Sequence, residues 1–245
     1  MYIDFSSLFH QSSKDLHDKG KVYIAADSNE WPKEWKTIYY KSYPRTPKIS
    51  LSPRKKLPGE FSQLLRGRHS SRDFDGKPVK KETLSQLLLY SCGMAEGKRG
   101  YPARAHPSGG VRFPIEIYPL VFAGNKDIPA GVYHYNIQEH ALDVLWQRKF
   151  EKKDIQNLFT YEWIQRAPVA LVMTGVFWRN QIKYGERGYR YVLLEAGHIS
   201  ENVYLTAQAL NMRCCAMGGM RDENIERVLD IDGITESVVH SLILG

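Results

Sequence analysis

The spacing of apolar residues predicts two substantial helices. In "KKETLSQLLLYSCGM" the residues Leu84, Leu87 and Leu88 recur at helical spacing and share one face. The longest helix is predicted in "RYVLLEAGHISENVYLTAQALNM", residues 190–212. Its apolar residues cover much more than a single stripe, and a helix of this kind lies centrally or in an interface.

Strands are predicted where apolar and β-branched residues run between Gly and Pro. These runs are "PIEIYPLVFAG" from Ile115, "GVYHYN", "APVALVMTGVF", "RCCAMGGM" and "ESVVHSLILG". Two shorter helices are predicted, one in "GEFSQLLRGR" ending at Gly67 and one in "RDENIERVLDI" with Asp222 as its N-cap. Strands and helices mix without strict βαβ alternation, so the pattern favours an α+β fold.

Residues 1–57 have the least regular pattern. The stretch "YPRTPKISLSPRKKLPG" is rich in proline, which disfavours helix in the residue before it, and it predicts an extended connector. We therefore expect an N-terminal leader segment over 1–57, partly irregular, and a main domain over 58–245.

Composition narrows the class of protein. The formal net charge is +7 at pH 7, but the basic residues are scattered among acidic ones, so nucleic-acid binding is not expected. Hydrophobic runs are too short for a membrane span, and no secretory signal opens the chain. Three cysteines without paired spacing indicate a reducing compartment, and we expect a cytoplasmic protein.

The stretch "RGRHSSRDF" is a candidate anion site. Arg68, Ser70 and Arg72 alternate, so in an extended chain their side chains point the same way. Two guanidinium groups and a hydroxyl suit a phosphate monoester. A solvated loop with surface arginines is the alternative interpretation.

Two glycine pairs are candidate contacts with a flat ligand. Gly109 and Gly110 in "HPSGGVRFP" let the backbone approach closely, although a plain turn before a strand fits equally well. Gly218 and Gly219 in "AMGGMRDEN" precede a helix, where backbone N–H groups can hold an anion. Neither stretch matches a P-loop or a Rossmann fingerprint.

The histidines and cysteines offer no expected metal site. His134 and His140 lie six residues apart, with no carboxylate or cysteine in ligand register. Cys214 and Cys215 lack the spacing of a redox dithiol, and we interpret Cys92 as a packing residue.

The stretch "KYGERGYRY" places Lys183 beside Tyr184 just before the long apolar helix. A solvated helix start is one interpretation, and a proton-transfer pair is the other. Free lysine and tyrosine have pKa values near 10.4 and 10, so either needs its pKa lowered to act as a base near neutral pH. Arg187 or Arg190 is a candidate for that effect.

Taken in order, these stretches resemble the nitroreductase-like FMN flavoenzymes over roughly residues 58–245. The closer resemblance is to the SagB-type dehydrogenases, which oxidise azolines in thiazole/oxazole-modified peptides. It is carried by "RHSSRDF", "LSQLLLYSCGM", "HPSGGVRFPIEIYPL", "AGVYHYN", "KYGERGYRYVLLEAGHISENVYLTAQAL" and "CCAMGGMRDENIERVL". The resemblance implies an α+β fold with a central, mostly antiparallel sheet flanked by helices. It also implies a homodimer with two FMN molecules at the subunit interface and the long helix in the dimer core.

The resemblance also assigns residues. It implies that the FMN phosphate and ribityl chain are held by Arg68, His69, Ser70 and Arg72. It implies that the isoalloxazine ring is lined by Pro107, Ser108, Gly109 and Gly110 on one side and by Gly218 and Gly219 on the other. Lys183 and Tyr184 are implied as the catalytic pair that supports proton transfer while the flavin accepts hydride.

The implied function is oxidation of peptide thiazolines or oxazolines to azoles, with a cyclodehydratase complex and a precursor peptide as possible partners. The alternative is a stand-alone NAD(P)H-dependent nitroreductase or quinone reductase, which needs no lysine base. Two departures from the family pattern stand out. The sequence stops at Gly245, where many nitroreductases continue into a tail, and His69 stands where a second arginine is frequent.

Overall fold

The computed structural model describes residues 5–14, 27–97 and 103–245. Its helices are α1 Phe5–Ser12, α2 Lys33–Lys36, α3 Phe61–Gly67, α4 Lys81–Cys92, α5 Lys152–Leu158, α6 Trp178–Tyr184, α7 Arg187–Ala209 and α8 Asp222–Leu229. Its strands are β1 Lys48–Ser50, β2 Met94–Ala95, β3 Ala103–Arg104, β4 Ile115–Val121, β5 Gly131–Asn136, β6 Ala141–Gln147, β7 Val169–Val176, β8 Cys214–Met217 and β9 Glu236–Leu244.

Seven strands form a central sheet in the order β1-β6-β5-β4-β7-β9-β8, and each neighbouring pair is antiparallel. The two remaining strands, β2 and β3, form a separate hairpin-like pair. The predicted α+β fold with a mostly antiparallel sheet flanked by helices is therefore confirmed.

Both faces of the sheet are buried, which explains its continuous apolar runs. Along β7, Val169 and Leu171 enter the core beneath α4 and α7, whereas Ala170 and Val172 enter the core beneath α5 and α8. Successive strand residues point to opposite faces, so each face receives every second side chain. The site described below lies along α7 and at the end of α6, on the first of these faces.

Most predicted elements agree with the structure to within a few residues. The long helix begins at Arg187 rather than Arg190 and ends at Ala209. The N-cap prediction for the last helix was wrong, because Arg221 is the N-cap and Asp222 is the first helical residue. Asp222 still lies in the first turn, where a negative charge complements the helix dipole.

Part of the predicted leader segment is built into the sheet. Strand β1 pairs with β6 at the sheet edge, so residues 48–50 extend the main sheet. Lys41 contacts the hydroxyl of Tyr118 at 2.6 Å and the carboxylate of Glu236 at 2.5 Å. The boundary at residue 57 stays a prediction.

Candidate functional site

The segment after α3 lies against strand β8 and helix α7. The backbone N–H of Ser71 donates to the carbonyl oxygen of Cys214 at 2.9 Å. The hydroxyls of Ser70 and Tyr204 lie 2.9 Å apart, and Tyr204 also accepts a hydrogen bond from the N–H of Ala216 at 2.7 Å. Tyr204 thus fixes the segment to β8. We call residues 68–72, with Tyr204 and β8, the arginine half-site.

The cations of the arginine half-site are available to a ligand. The Arg68 guanidinium lies 5.2 Å from the centroid of the Tyr204 ring, and Arg72 is exposed. The neighbouring carboxylate of Asp73 lies 4.0 Å from Arg166, and that of Asp75 lies 2.9 Å from Lys77 and 3.9 Å from Arg213. In the described part of the chain, no carboxylate forms an ion pair with Arg68 or Arg72.

A pocket of about 210 Å³ opens beside this segment. It is lined by His69, Ser71, Tyr204, Gln208, Asn211, Met212, Arg213 and Cys214. The exposed ring of His69 contacts the carbonyl oxygen of Gly67 through Nδ1 at 2.9 Å.

The second glycine pair follows directly from β8, and its two members differ. A Cβ atom on Gly218 would meet no atom within 4 Å, so open space lies beside it. A Cβ atom on Gly219 would lie 2.2 Å from the hydroxyl of Thr160, and the carbonyl of Gly219 accepts from the N–H of Thr160. Gly219 therefore has a packing role, while Gly218 faces space that a ligand can fill.

The first glycine pair lies in a strained loop before β4. Positive φ values occur at Gly110 (64°), Val111 (59°) and Phe113 (49°). For the β-branched Val111 this conformation is an outlier, and such strain concentrates at functional sites. The hydroxyl of Ser108 accepts the N–H of Phe113 at 2.8 Å and helps to hold the loop. We call residues 107–110, with Lys183 and Tyr184, the loop half-site.

Two tyrosines press against this loop, and glycine is required at position 110, where φ is positive and the contact is closest. A Cβ atom on Gly110 would lie 2.2 Å from the hydroxyl of Tyr184, and one on Gly109 would lie 3.3 Å from Tyr191. The two tyrosine rings contact each other edge to face at 4.9 Å. A pocket of about 290 Å³ beside the loop is lined by Pro107, Ser108, Gly109, Tyr191, Leu194, Glu195 and His198.

Lys183 and Tyr184 form the last turn of α6, and α7 begins after a glycine turn. Lys183 is 1% exposed, and burial lowers its pKa below the usual value, with the positive charge of Arg112 acting in the same direction. Burial raises the pKa of Tyr184. The two shifts favour a neutral amine next to a protonated phenol, which is the combination of one base and one hydrogen-bond donor.

The proposed role of Arg187 or Arg190 in lowering the lysine pKa was wrong. The Arg187 guanidinium donates to the hydroxyl of Tyr191 at 3.1 Å, and Arg190 donates to the hydroxyl of Ser13 at 2.8 Å. Both therefore bind groups beside α1 and α7, whereas the charge that acts on Lys183 belongs to Arg112.

Sequence reasoning missed two buried arginines that hold the loop half-site together. Arg112 donates through Nε to the carbonyl of Arg179 at 2.8 Å. Arg179 donates to the carbonyl of Phe113 at 2.9 Å and to the carboxylate of Glu116 at 2.6 Å. The two side chains tie the strained loop to α6. The signal in the sequence was an arginine inside the "HPSGGVRFP" motif, but nothing local showed that it is buried.

The same polar network continues across the sheet through His134. Its ring contacts Glu116 at 2.9 Å through Nε2 and Asp143 at 3.3 Å through Nδ1. The sequence interpretation concerned ligand spacing along the chain, whereas these two carboxylates come to His134 from neighbouring strands. They bind opposite nitrogens of one ring and do not converge, and the described residues contain no group that could hold a metal ion.

The two half-sites lie at different ends of α7. The loop half-site contacts Tyr191 and the arginine half-site contacts Tyr204, and a rise of 1.5 Å per residue separates those positions by about 20 Å. Between them, Leu193 and Leu194 are 41% and 58% exposed on α7. Within one chain the structure thus gathers the predicted residues into two groups rather than one.

Three curated relatives give the chain its place among known proteins. A protein of Methanocaldococcus jannaschii named as a nitroreductase, MJ1384, is 29% identical over 172 residues, which cover 70% of this chain and 85% of the relative. The trifolitoxin-processing protein TfxB of Rhizobium leguminosarum is 30% identical, covering 66% of this chain and 46% of TfxB. The microcin B17-processing protein McbC of Escherichia coli is 27% identical, covering 64% of this chain and 59% of McbC.

Solved structures support the same fold. A nitroreductase of Anabaena variabilis superimposes with a TM-score of 0.73 at 24% identity, covering 98% of this chain and 45% of that one. The microcin synthetase McbBCD of Escherichia coli, bound to a truncated precursor, contains a chain that superimposes with a TM-score of 0.60 at 19% identity. The match covers 98% of this chain and 91% of that one. A nitroreductase of Exiguobacterium sibiricum in complex with FMN has a TM-score of 0.53 at 14% identity, covering 78% and 90%.

The chain spans about half the length of the two peptide-processing relatives TfxB and McbC. Their similarity supports the SagB-type branch that the sequence resembles. No helix in the described part of the chain is both long and apolar enough to cross a membrane. The nitroreductase family model matches residues 65–245, so the chain belongs to the nitroreductase family of FMN-dependent oxidoreductases.

Proposed function

We propose that this protein is an FMN-dependent dehydrogenase that oxidises thiazoline or oxazoline rings in a peptide to azoles. The observation that carries the proposal is the pair at the end of α6, where a buried lysine with a lowered pKa adjoins a tyrosine held against Gly110. An enzyme that only passes hydride from a nicotinamide to an acceptor has no need for a carbon base. The similarity to TfxB and McbC, both named for peptide processing, agrees with this chemistry.

The donor set of the arginine half-site fits the phosphate of FMN. Arg68 and Arg72 supply guanidinium groups that form no ion pair with a carboxylate among the described residues, and Ser70 supplies a hydroxyl. A phosphate monoester carries two charges and accepts several charge-assisted hydrogen bonds, so it matches these groups. His69 lies beside them at the pocket, and the open space at Gly218 gives the flavin a place beyond β8.

The loop half-site matches the reactive edge of a flat ring. Pro107, Ser108, Gly109 and Gly110 present backbone and one small side chain. When bound, FMN would accept a hydride equivalent at its N5 nitrogen. Lys183 in its neutral form would take the proton from the ring carbon, and the Tyr184 hydroxyl would donate a hydrogen bond beside it. Lys183 is buried and Tyr184 is half-buried, which limits the access of bulk water to the transferred proton.

A homodimer would join the two half-sites. Leu193 and Leu194 are exposed on α7 between them, and apolar side chains in such a position are typical of an interface. A second copy packed on this face would bring the loop half-site of one protomer towards the arginine half-site of the other. A cyclodehydratase and a precursor peptide are the further partners that this activity requires, and a cytoplasmic location remains our expectation.

The proposal is tested with FMN-loaded protein and a short peptide that carries one thiazoline ring. We expect the wild type to remove two hydrogens from the ring, detected by mass spectrometry. General-base catalysis contributes about 10²- to 10⁴-fold, so Lys183→Ala should slow the reaction by at least about 10². Tyr184→Phe should slow it less, because Lys183 remains. Unchanged azole formation in both variants would exclude the mechanism.

A stand-alone NAD(P)H-dependent nitroreductase or quinone reductase is the second candidate. It is favoured by the match to MJ1384, which covers 85% of that nitroreductase-named relative. The two functions differ in one anaerobic measurement. Rapid bleaching of the bound flavin by NADH or NADPH would favour the reductase, whereas bleaching only by the thiazoline peptide would favour the dehydrogenase.

A further inference from the structure

The proposed base is covered by an aromatic residue from far away in the sequence. The ammonium of Lys183 lies 3.3 Å from the centroid of the Trp31 ring and 5.9 Å from that of Trp35. Both distances are within the range of cation–π attraction, and the first is short enough for full contact. Lys183 is only 1% exposed as a result, although Trp31 and Trp35 themselves are partly exposed.

Trp35 holds this aromatic cover on α6. Its indole N–H donates to the carbonyl of Ile182 at 3.0 Å, one residue before the lysine. Its own carbonyl accepts from Arg112 at 2.9 Å, and the carbonyl of Thr37 accepts from the same nitrogen at 2.8 Å. The arginine that acts on the charge of Lys183 therefore also fixes the backbone that places tryptophan over it.

This arrangement conflicts with the proposed role of Lys183 unless the indole is exchanged for substrate. A base must approach the carbon from which it takes a proton to about 3 Å. On one side of the lysine nitrogen, the flat face of Trp31 fills the space at that distance. Lys183 is 1% exposed while Trp31 over it is partly exposed, so the place of Trp31 is the direct approach for a ring that is to lose its proton to Lys183.

We propose that Lys183 and Trp35 form the substrate-ring subsite, in which a flat unsaturated five-membered ring takes the place of the Trp31 indole on Lys183. The inference rests on the proposed function and adds the residues that select the substrate. Trp35 is the fixed wall, and Trp31 fills the subsite until the ring enters. Saturated, puckered rings fit such a place poorly because they cannot stack face to face.

The exchange also favours the neutral base. An indole face stabilises the ammonium form of lysine, because the ring carries negative potential on its face. A thiazoline is a weaker π-donor, so replacing indole by thiazoline removes part of that stabilisation. Burial and Arg112 then disfavour the ammonium against weaker opposition, which comes from the more distant rings of Trp35 and Tyr184. Substrate binding and formation of the neutral amine are thus coupled, because both depend on what occupies the place of the Trp31 indole on Lys183.

The first experiment measures access to Lys183 and needs no turnover. FMN-loaded protein is treated briefly with an amine-acetylating reagent, and acetylation of Lys183 is measured by peptide mass spectrometry against the exposed Lys126 as internal reference. We expect Trp31→Ala to raise acetylation of Lys183 at least about fivefold and Trp31→Phe to raise it less, since phenylalanine keeps an aromatic face. Trp163→Ala is the matched control, because Trp163 packs on Phe74, away from the lysine. No increase in Trp31→Ala would overturn the proposal.

The second experiment tests the ring class in the Trp31→Ala variant, where the subsite is vacant. Methylthiazoline should protect Lys183 from acetylation, whereas tetrahydrothiophene, a puckered ring of similar size, should not. Equal protection by both, or protection by neither, would overturn the proposal. Thermal unfolding of each variant confirms that the fold is retained. Azole formation on the thiazoline peptide is measured separately, so failure of the proposed function and failure of the subsite give different results.

Discussion

The two half-sites differ in how they present their charges. In the arginine half-site, Arg72 is exposed and Arg68 half-exposed, and the segment is held by hydrogen bonds from Ser70 and Ser71 to neighbouring elements. In the loop half-site, Lys183 is buried and its neighbour Arg112 is 1% exposed. Exposed guanidinium groups can bind a phosphate, while a buried lysine loses part of its preference for the charged form. One half is therefore suited to binding and the other to proton transfer.

The first prediction removes the binding half alone. The double variant Arg68→Ala/Arg72→Ala should lower FMN affinity by at least about 10²-fold, because each hydrogen bond to a charged group contributes about 1.5–3 kcal/mol. Fluorescence titration of FMN measures the effect. Arg66→Ala, which changes an exposed arginine of α3, is the control and should leave affinity unchanged. If the double variant binds FMN normally, the phosphate lies elsewhere.

The second prediction weakens the buried network that supports the loop half-site. Glu116 pairs with Arg179 and His134, and these groups hold its pKa at about 2 despite burial. Glu116→Ala leaves a buried guanidinium without its carboxylate, which should cost about 3–5 kcal/mol of unfolding free energy. Denaturant unfolding measures this value.

The control for that prediction is Glu223→Ala, which breaks an exposed pair with Arg227 at 3.6 Å and should cost under about 0.5 kcal/mol. Similar losses in the two variants would mean that the buried network does not carry the stability assigned to it. The affinity for FMN in Glu116→Ala should change less than in the double arginine variant, because the arginine half-site is fixed by different contacts.

The sequence predicted what depends on local pattern. The strands β4, β5, β7, β8 and β9 and the helices α4 and α7 follow from apolar runs and helical spacing, because both sheet faces and one helix side are buried. Strand β6 was missed, since "ALDVLWQ" places Asp143 in its middle. That carboxylate is buried against His134, a partner on the neighbouring strand that no local pattern reveals.

In the candidate site too, the residues in local motifs were predicted, and the residues that act through distant contacts were not. Motif order brought out Arg68, Ser70 and the Lys183–Tyr184 pair, but Arg112 and Trp31 were missed. Their importance arises from contacts across 71 and 152 positions of the sequence, respectively, and a single sequence carries no record of such contacts. Local rules also misassigned the charge that acts on the lysine, because Arg187 and Arg190 are near it in sequence and bound elsewhere in space.

The third prediction, which has the smallest expected effect, compares an arginine close to Lys183 in space with one close to it in sequence. If neutral Lys183 is the base, the rate of azole formation rises with pH through the lysine pKa, which burial and Arg112 hold below the usual value. Arg112→Met removes the repelling charge and loosens the cover at Trp35 and Thr37. Loss of the repelling charge favours the ammonium, so the pKa rises and the ascending limb of the profile of kcat/KM against pH should move to higher pH.

Arg187→Met is the matched control for this shift. It deletes a cation four positions from the lysine whose guanidinium is bound to Tyr191, so the ascending limb should stay in place. A shift in Arg187→Met without one in Arg112→Met would restore the interpretation drawn from sequence proximity. Acetylation of Lys183 followed across pH gives the same pKa without turnover, and it shows whether the limb belongs to this amine. If the pH profiles of kcat/KM and of Lys183 acetylation agree in both variants, the pH dependence belongs to Lys183. That result is expected if the buried lysine serves proton transfer and the exposed arginines serve binding.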